Sequence, residues 1–343
     1  MSGFQAPILD ALSSFEYDPI MSALNATLSL TVAAVHAAPV YMDKNATTAK
    51  IISLIQQAAG EGIDLLAFPE AFLPGYPYFV QMFAPTLLWL VVASYVRESV
   101  EASGPEMARI REACAMWGVA ISLGFSERIA NGTAIFNSQI FIDKKGDVLG
   151  VHRKLQPTLG ERILWTQGGG RSLHAYPSDD GYIIGGLACS ENTMNGARQA
   201  LIEDGEQIHV GAWPALAALP GQAPFIDNQT EAITKAHALS AQVFVIATSD
   251  YVDDRTVNWI RNNVGNQTTL STGGGWSAIV DPNTVYVAGP HTGPEEKFVK
   301  ADIDLSLIQV AKVLTDATAS YKRPEVLKFN VNRDPLWPDE FDV

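Results

Sequence analysis

A chain of 343 residues with a formal charge of −14 is a poor match for nucleic acid or an anionic membrane surface as partner. With 47% hydrophobic and 17% charged residues, it has enough apolar content for a large core in one or two domains. Two cysteines, Cys114 and Cys189, make no disulfide framework, and without a signal-like N-terminus a reducing cytoplasm is the expected compartment.

The most apolar run, residues 85–93, is too short to span a bilayer. No repeat, low-complexity tract or long linker interrupts the chain, which favours a single domain. Residues 1–27 have mixed composition and no clear period, and read as an N-terminal arm. Residues 28–314 carry the regular pattern, and the Pro-rich segment 315–343 reads as a tail packing on a neighbouring surface.

Along the chain, residues 28–36 predict a strand. Residues 43–61 predict a helix capped by Asp43, with Ala46, Ala49, Ile52, Ile55 and Ala59 at helical spacing and Gly62 ending it. Residues 63–68 predict a second buried strand, and strand, helix, strand in close succession is the signature of layered α/β packing. Glu70 comes directly off that strand, into a loop stiffened by Pro74, Gly75 and Pro77. A carboxylate at the mouth of a buried strand is desolvated, which raises its pKa and suits a general base. A helix cap or a rim charge is the alternative.

Helices are predicted at 85–99 and 106–117, with Cys114 on the apolar face of the second beside Ile110 and Trp117, a structural position. Strands are predicted at 119–125, 136–142 and 148–152, the last two joined by a hairpin turn at 144–147. Lys154 and Glu161 follow in a loop broken by Pro157 and Gly160. A lysine just past a strand end points into water, or it leans into a shared pocket and stabilises negative charge on a reacting oxygen. Residues 167–170, QGGG, lack the lysine and hydroxyl of a phosphate loop and read as turn chemistry.

Residues 182–192, YIIGGLACSEN, predict one buried strand with Cys189 at its tip and a helical segment, 194–204, beyond it. A thiol facing a helix N-terminus has a lowered pKa and is a candidate nucleophile, the alternative being a buried small apolar residue. Further strands are predicted at 208–213, 243–248, 276–280, 285–288 and 298–303, and helices at 223–242 and 304–314, the latter capped by Asp304. His36, His152, His174, His209, His237 and His291 show no pairing at metal-ligand spacing, so no metal site is expected.

Phe68-Pro69-Glu70, His152-Arg153-Lys154 with Pro157-Thr158 and Glu161-Arg162, and Cys189 with Glu191-Asn192 stand in the order seen in the nitrilase superfamily, which the chain resembles from about residue 28 to 326. Gly289-Pro290 and Tyr321-Lys322-Arg323-Pro324-Glu325 resemble the nitrilase branch in particular. The resemblance implies an α/β fold, a four-layer-forming α-β-β-α sandwich, with no cofactor or metal and assembly into homodimers or longer spirals. It implies Glu70 as general base, Lys154 as oxyanion stabiliser, Cys189 as nucleophile, and Glu161 as a second glutamate orienting lysine and substrate.

The implied reaction is hydrolysis of an organic nitrile to the carboxylic acid and ammonia through a cysteine thioimidate and thioester, with amide as a by-product. An amidase or carbamoyl-amide hydrolase using the same residues, and a non-catalytic assembly scaffold, are the alternatives. Trp165, Trp213, Tyr76 and Asn192 follow strand ends near these residues and are expected in the pocket wall, ordinary core positions being the alternative. The family usually has tryptophan where Ser190 stands, so the pocket beside the nucleophile is expected to differ in shape, with Ser190 as part of it.

Overall fold

The computed structural model describes residues 28–130, 132–223 and 225–337, so the expected N-terminal arm lies outside the described residues. In chain order the elements are β1 (Ser29–His36), α1 (Lys44–Gly60), β2 (Leu65–Ala67), α2 (Trp89–Glu98), α3 (Pro105–Trp117), β3 (Ala120–Arg128), β4 (Ile135–Ile142) and β5 (Val148–Arg153). Then come β6 (Tyr176–Pro177), β7 (Ile183–Ala188), α4 (Asn195–Glu203), β8 (Ile208–Trp213), α5 (Ile226–Ala241), β9 (Phe244–Ser249) and α6 (Asp254–Asn263). The series ends with β10 (Trp276–Val280), β11 (Tyr286–Thr292), β12 (Lys297–Asp304) and α7 (Ser306–Leu314).

These strands form two six-stranded sheets, ordered β12-β1-β2-β3-β4-β5 and β11-β10-β9-β8-β7-β6. Each has a parallel trio at its heart, β1-β2-β3 in one and β7-β8-β9 in the other, with antiparallel strands on both sides. Alternation along β1 decides the layering, because successive side chains leave opposite faces of a strand. Leu30, Val32 and Ala34 join Ile184, Ile208, Val210, Phe244 and Ile246 in a core between the sheets. Ala33 and Val35 face outward and join Ile51, Leu54 and Ile55 of α1 with Met107, Ile110 and Cys114 of α3. On the other outer face, α4 packs through Ala200 and Leu201 beside Leu187, and α5 through Ala238 and Ala241 beside Val245. The result is the expected α-β-β-α sandwich. At about 1.5–3 kcal/mol per fully buried Leu, Ile or Phe, the layer between the sheets is what holds them face to face.

Several local expectations need correction. The helix expected over 85–99 is broken: Pro85–Leu87 forms a single 3-10 turn and α2 starts at Trp89. Trp117 is exposed rather than on the buried face of α3, whereas Cys114 is fully buried. Asp304 closes β12 instead of capping α7 in the N-cap position, although its side chain accepts the Ser306 N–H at 2.9 Å. Helix α6 has no counterpart in the sequence reading. Only Thr256 and Ile260 are buried on it, so its apolar stripe is too thin to show a period. The one legible sign was Asp253, whose side chain accepts the Thr256 N–H at 2.8 Å as an N-cap.

The segment after α7 folds back over its own molecule. Trp337 sits edge-on to Phe136, ring centroids 5.2 Å apart, and its indole N–H donates to Gln167 O at 3.0 Å. Arg333 pairs with Asp204 at 3.0 Å. A groove of about 1030 Å³ lies between α4 and this segment, lined by Gln199, Tyr321 and Leu327 among others. Among the described residues, no helix is long and apolar enough to cross a membrane.

Candidate active site

Three strand ends deliver the candidate residues. Glu70 follows β2, Lys154 follows β5 in the same sheet, and Cys189 follows β7 in the facing sheet. After β2, the Phe68 N–H still donates to Ser122 O at 2.7 Å, and the chain then turns sharply across β3. Gly124 of β3 makes that turn possible. A Cβ there would stand 2.2 Å from Pro69 O and 2.7 Å from Glu70 Cα, both backbone atoms that cannot yield cheaply.

Glu70 is buried. Its Oε1 accepts from Lys154 Nζ at 2.8 Å and from the Asn137 side-chain amide, while its Oε2 has no partner among the described residues. Burial pushes its pKa up, Lys154 opposes this, Glu161 adds to it, and the result is about 7. Lys154 Nζ also donates to Glu161 Oε2 at 2.8 Å. Burial disfavours the ammonium, but the charges of Glu70 and Glu161 outweigh it and hold Lys154 protonated well above the ordinary lysine range. Glu161 belongs to a one-turn segment, Leu159–Ile163, and is pinned from both sides. Its Oε2 accepts the Thr158 N–H at 2.8 Å and its Oε1 accepts the Tyr76 hydroxyl at 2.8 Å. Asn137, on β4, holds the pair from below, since its carbonyl also accepts the Lys154 N–H at 2.8 Å.

Cys189 is fully buried with φ +51°, a left-handed conformation uncommon for a side-chain-bearing residue and costly enough to need bracing. The segment it opens, Cys189–Thr193, is a single 3-10 turn, and α4 begins only at Asn195. This corrects the expectation of a thiol with a lowered pKa. Burial pushes the Cys189 thiol well above its ordinary value, Glu70 adds to the rise, and Lys154 offsets only part of it. The thiol therefore rests protonated and needs a base to ionise it. Its Sγ lies 3.6 Å from Ser190 Oγ.

Two residues brace the turn. Glu191 is buried and accepts the Ala188 N–H at 3.0 Å, the Leu155 N–H at 2.7 Å, and His152 Nε2 at 3.1 Å. Burial alone would push its carboxyl up, but His152 and the two amides hold it below the usual carboxylate range. Asn192 donates to Leu187 O at 2.9 Å and to Cys189 O at 3.0 Å.

The profile of the carbon-nitrogen hydrolase family matches residues 31–313. The chain belongs to that family. Among relatives of this carbon-nitrogen hydrolase, a nitrilase of Pseudomonas syringae pv. syringae (strain B728a) is 34% identical over 317 residues, covering 92% of this chain and 94% of that protein. An aliphatic nitrilase of Rhodococcus rhodochrous is 33% identical, covering 91% and 85%. A bromoxynil-specific nitrilase of Klebsiella pneumoniae subsp. ozaenae is 34% identical, covering 88% and 84%. These place it in the nitrilase branch. Among solved structures, a carbon-nitrogen hydrolase from Helicobacter pylori G27 superposes with a TM-score of 0.68 at 17% identity, covering 88% of this chain and 100% of that one. A nitrilase-superfamily member from Saccharomyces cerevisiae gives 0.67 at 16% identity, covering 86% and 97%. Both share the fold.

The hydrolase brings Glu70, Lys154, Glu161 and Tyr76 into one buried cluster, with the Cys189 thiol under the influence of its charges. Trp165 lies behind Tyr76, centroids 6.0 Å apart, with its N–H on Ser126 Oγ at 2.9 Å. Trp213 packs with Cys189 and Trp276, and a small cleft opens beside the two indoles. Asn192, expected in the pocket wall, instead has both amide hydrogens committed to backbone carbonyls, and it braces the turn that carries Cys189. Sequence reasoning gave no role to Asn137, His152 or Glu191. It also missed Asp250, which accepts the Tyr78 hydroxyl at 3.0 Å and the Ala215 N–H at 2.6 Å and is pushed up to about 7 by burial. A polar Asn137 inside the apolar run of β4 was the available signal. The histidines expected to stand apart do not all do so: Glu206, His209 and His237 converge in the core with side-chain polar atoms within 4.8 Å of one another.

Proposed function

We infer that this protein is a nitrilase, hydrolysing an organic nitrile to the carboxylic acid and ammonia with Cys189 as nucleophile. The observation that carries the reading is one ammonium, Lys154, held 2.8 Å from both Glu70 and Glu161 in a buried cluster beside a protonated thiol. Glu70, with its pKa near 7 and a free Oε2, is suited to take the thiol proton as sulfur bonds to the nitrile carbon. That proton passes to nitrogen, giving a thioimidate. A first water, deprotonated by Glu70, adds to the carbon, and Lys154 donates to the negative charge that develops. Breaking the C–N bond releases ammonia and leaves a thioester, and a second water cleaves it to the acid. Breaking the C–S bond at the first tetrahedral stage releases the amide instead. Glu161 and Tyr76 keep the lysine aimed.

The test is ammonia release from aliphatic, aryl and arylacetonitriles set beside their matched amides. We expect turnover of nitriles, none with a folded Cys189→Ala protein, and nearly full turnover with Cys114→Ala, whose thiol is packed under α3. Faster hydrolysis of the amides would assign the site to amidase chemistry instead. The reading extends to the surroundings. The unit 28–314 carries the chemistry, Trp165, Trp213, Tyr76 and Ser190 line or back the pocket, and the chain works in the cytoplasm, in keeping with two free thiols.

A further inference from the structure

Behind the nucleophile turn lies a chain of four side chains that the mechanism above does not use. Asn192 Oδ1 meets His209 Nε2 at 2.8 Å, His209 Nδ1 meets Glu206 Oε1 at 2.8 Å, and Glu206 Oε2 meets His237 Nε2 at 2.8 Å. All are buried. The sequence makes room for them with glycine: a Cβ at Gly185 of β7 would stand 2.3 Å from Glu206 Oε1.

Counting protons fixes the state of this chain. The Asn192 amide nitrogen faces two carbonyls, Leu187 O and Cys189 O, so a flipped amide would set oxygen against oxygen. Its Oδ1 is therefore an acceptor, and His209 Nε2 carries a hydrogen. The same ring's Nδ1 faces a carboxylate oxygen, and two lone pairs cannot meet at hydrogen-bond distance. A second hydrogen must lie there. Burial would raise the Glu206 carboxyl, but its two histidines hold it at about 2, so that hydrogen belongs to the ring. His237 donates through Nε2, has no partner at Nδ1 among the described residues, and stays neutral because burial and the neighbouring His209 lower it to about 4. Besides these groups, the charge that faces the pair is Arg198 of α4, which acts on His237.

We propose that His209 is a buried imidazolium, held by Glu206, and that it is a positioning residue that fixes the nucleophile turn through Asn192. Its charge strengthens the donation of Asn192 to Cys189 O, since hydrogen bonds in series polarise one another. That bond restrains the left-handed backbone on which the thiol is aimed. The proposal rests on Cys189 as nucleophile, and on nothing about which C–N bond it attacks.

Nitrogen-15 resonances of imidazole-labelled intact protein, assigned with His209→Gln, test the charge. We expect both His209 nitrogens to carry hydrogen in the folded protein, as the two hydrogen bonds of the ring require, with no stoichiometric metal on elemental analysis. A neutral tautomer, or a bound divalent cation on the bare Nδ1, overturns the proposal. Iodoacetamide alkylation of Cys189 tests the positioning and needs no nitrile, so its failure is separable from failure of the nitrilase reading. His209→Leu should slow alkylation and kcat by about tenfold to a hundredfold with KM little changed, and His209→Gln, which keeps an N–H for Asn192, should recover most of the loss. Should the leucine variant not fold, Glu206→Gln makes the same comparison by removing the charge that holds the second ring hydrogen. Wild-type rates in these variants overturn the positioning role.

Discussion

Glu191 Oε1 accepts the backbone N–H of Leu155 at 2.7 Å, and so ties the turn of Cys189 to the residue that follows Lys154. Cys189 and Lys154 come from different sheets, yet they share this mount. Its other oxygen holds Ala188, the residue before the thiol. The carboxylate is paired with His152, which burial would leave neutral but which the Glu191 charge keeps protonated above its ordinary value. Removing one partner of a buried ion pair leaves the other charge unpaired, at about 3–5 kcal/mol. Glu191→Ala should therefore lose stability of that order in urea titrations, and should lose activity further than its folded fraction explains. A Glu191→Ala protein with wild-type kcat would dissolve the shared mount.

The base sets a pH limit. In the proposed base role Glu70 works only when ionised, so kcat/KM should fall as pH drops through about 7. Stability runs the other way. Folded Glu70 and Asp250 keep their protons to about 7, where unfolded carboxyls at 4.5 and 3.8 have lost theirs. The native state then binds more protons, so unfolding free energy should fall as pH rises across that window, by on the order of 3–4 kcal/mol per group at most. Glu206 has the opposite sign, losing its contribution as pH falls from 4.5 towards 2. Urea titrations across the window, with Glu70→Gln for comparison, measure the slope, and the variant's should be flatter. A kcat/KM profile flat through neutrality would take Glu70 out of the base role.

Gly124→Ala places a methyl group against Pro69 O and Glu70 Cα. The loop must move, and a misplacement near 1 Å costs about a hundredfold in rate. We expect such a loss in kcat with circular dichroism unchanged. Full activity would mean that the approach of β3 to the Glu70 loop is slack.

Ser190→Trp adds a large ring beside the thiol, whose sulfur lies 3.6 Å from the serine oxygen. The choice between expelling ammonia and expelling thiolate turns on small differences, since about 1.4 kcal/mol between the two barriers shifts the product ratio tenfold. The variant should favour slimmer nitriles and change the amide fraction, measured chromatographically over one nitrile panel. Identical ratios and relative rates would make this departure from the family neutral.

Trp89 and Leu90 at the start of α2 are 78% and 85% exposed, an apolar edge that a second subunit would cover. Light scattering after size exclusion should report a homodimer or larger, reduced by Trp89→Glu with Leu90→Glu. A clean wild-type monomer would count against assembly.

Glu70, Lys154 and Cys189 stood out because each follows an apolar strand, but that pattern left a rim charge, a solvated lysine and a buried small residue open, and the family resemblance supplied their roles. What joins them was not legible. Asn137 reaches Glu70 only because β4 pairs with β3 and β5 in one register, and Glu191 reaches Leu155 only because two sheets meet face to face. Neither fact is local. The thiol was misjudged for a related reason. A helix following Cys189 suggested a lowered pKa, but the intervening single turn supplies little dipole, and burial, which depends on the whole fold, dominates. His209 and His237 likewise sit on separate elements, and only the packing of α5 against β8 and β9 brings them together.

Trp337 offers a handle on the catalytic cluster from outside. Its ring leans edge-on against Phe136, over whose ring the Arg153 guanidinium lies 4.2 Å from the centroid, and these two residues directly precede Asn137 and Lys154. A label near residue 337 therefore sits one ring away from the strand positions that precede Asn137 and Lys154. With the other six tryptophans replaced by phenylalanine, the emission of that indole would read its contact with Phe136.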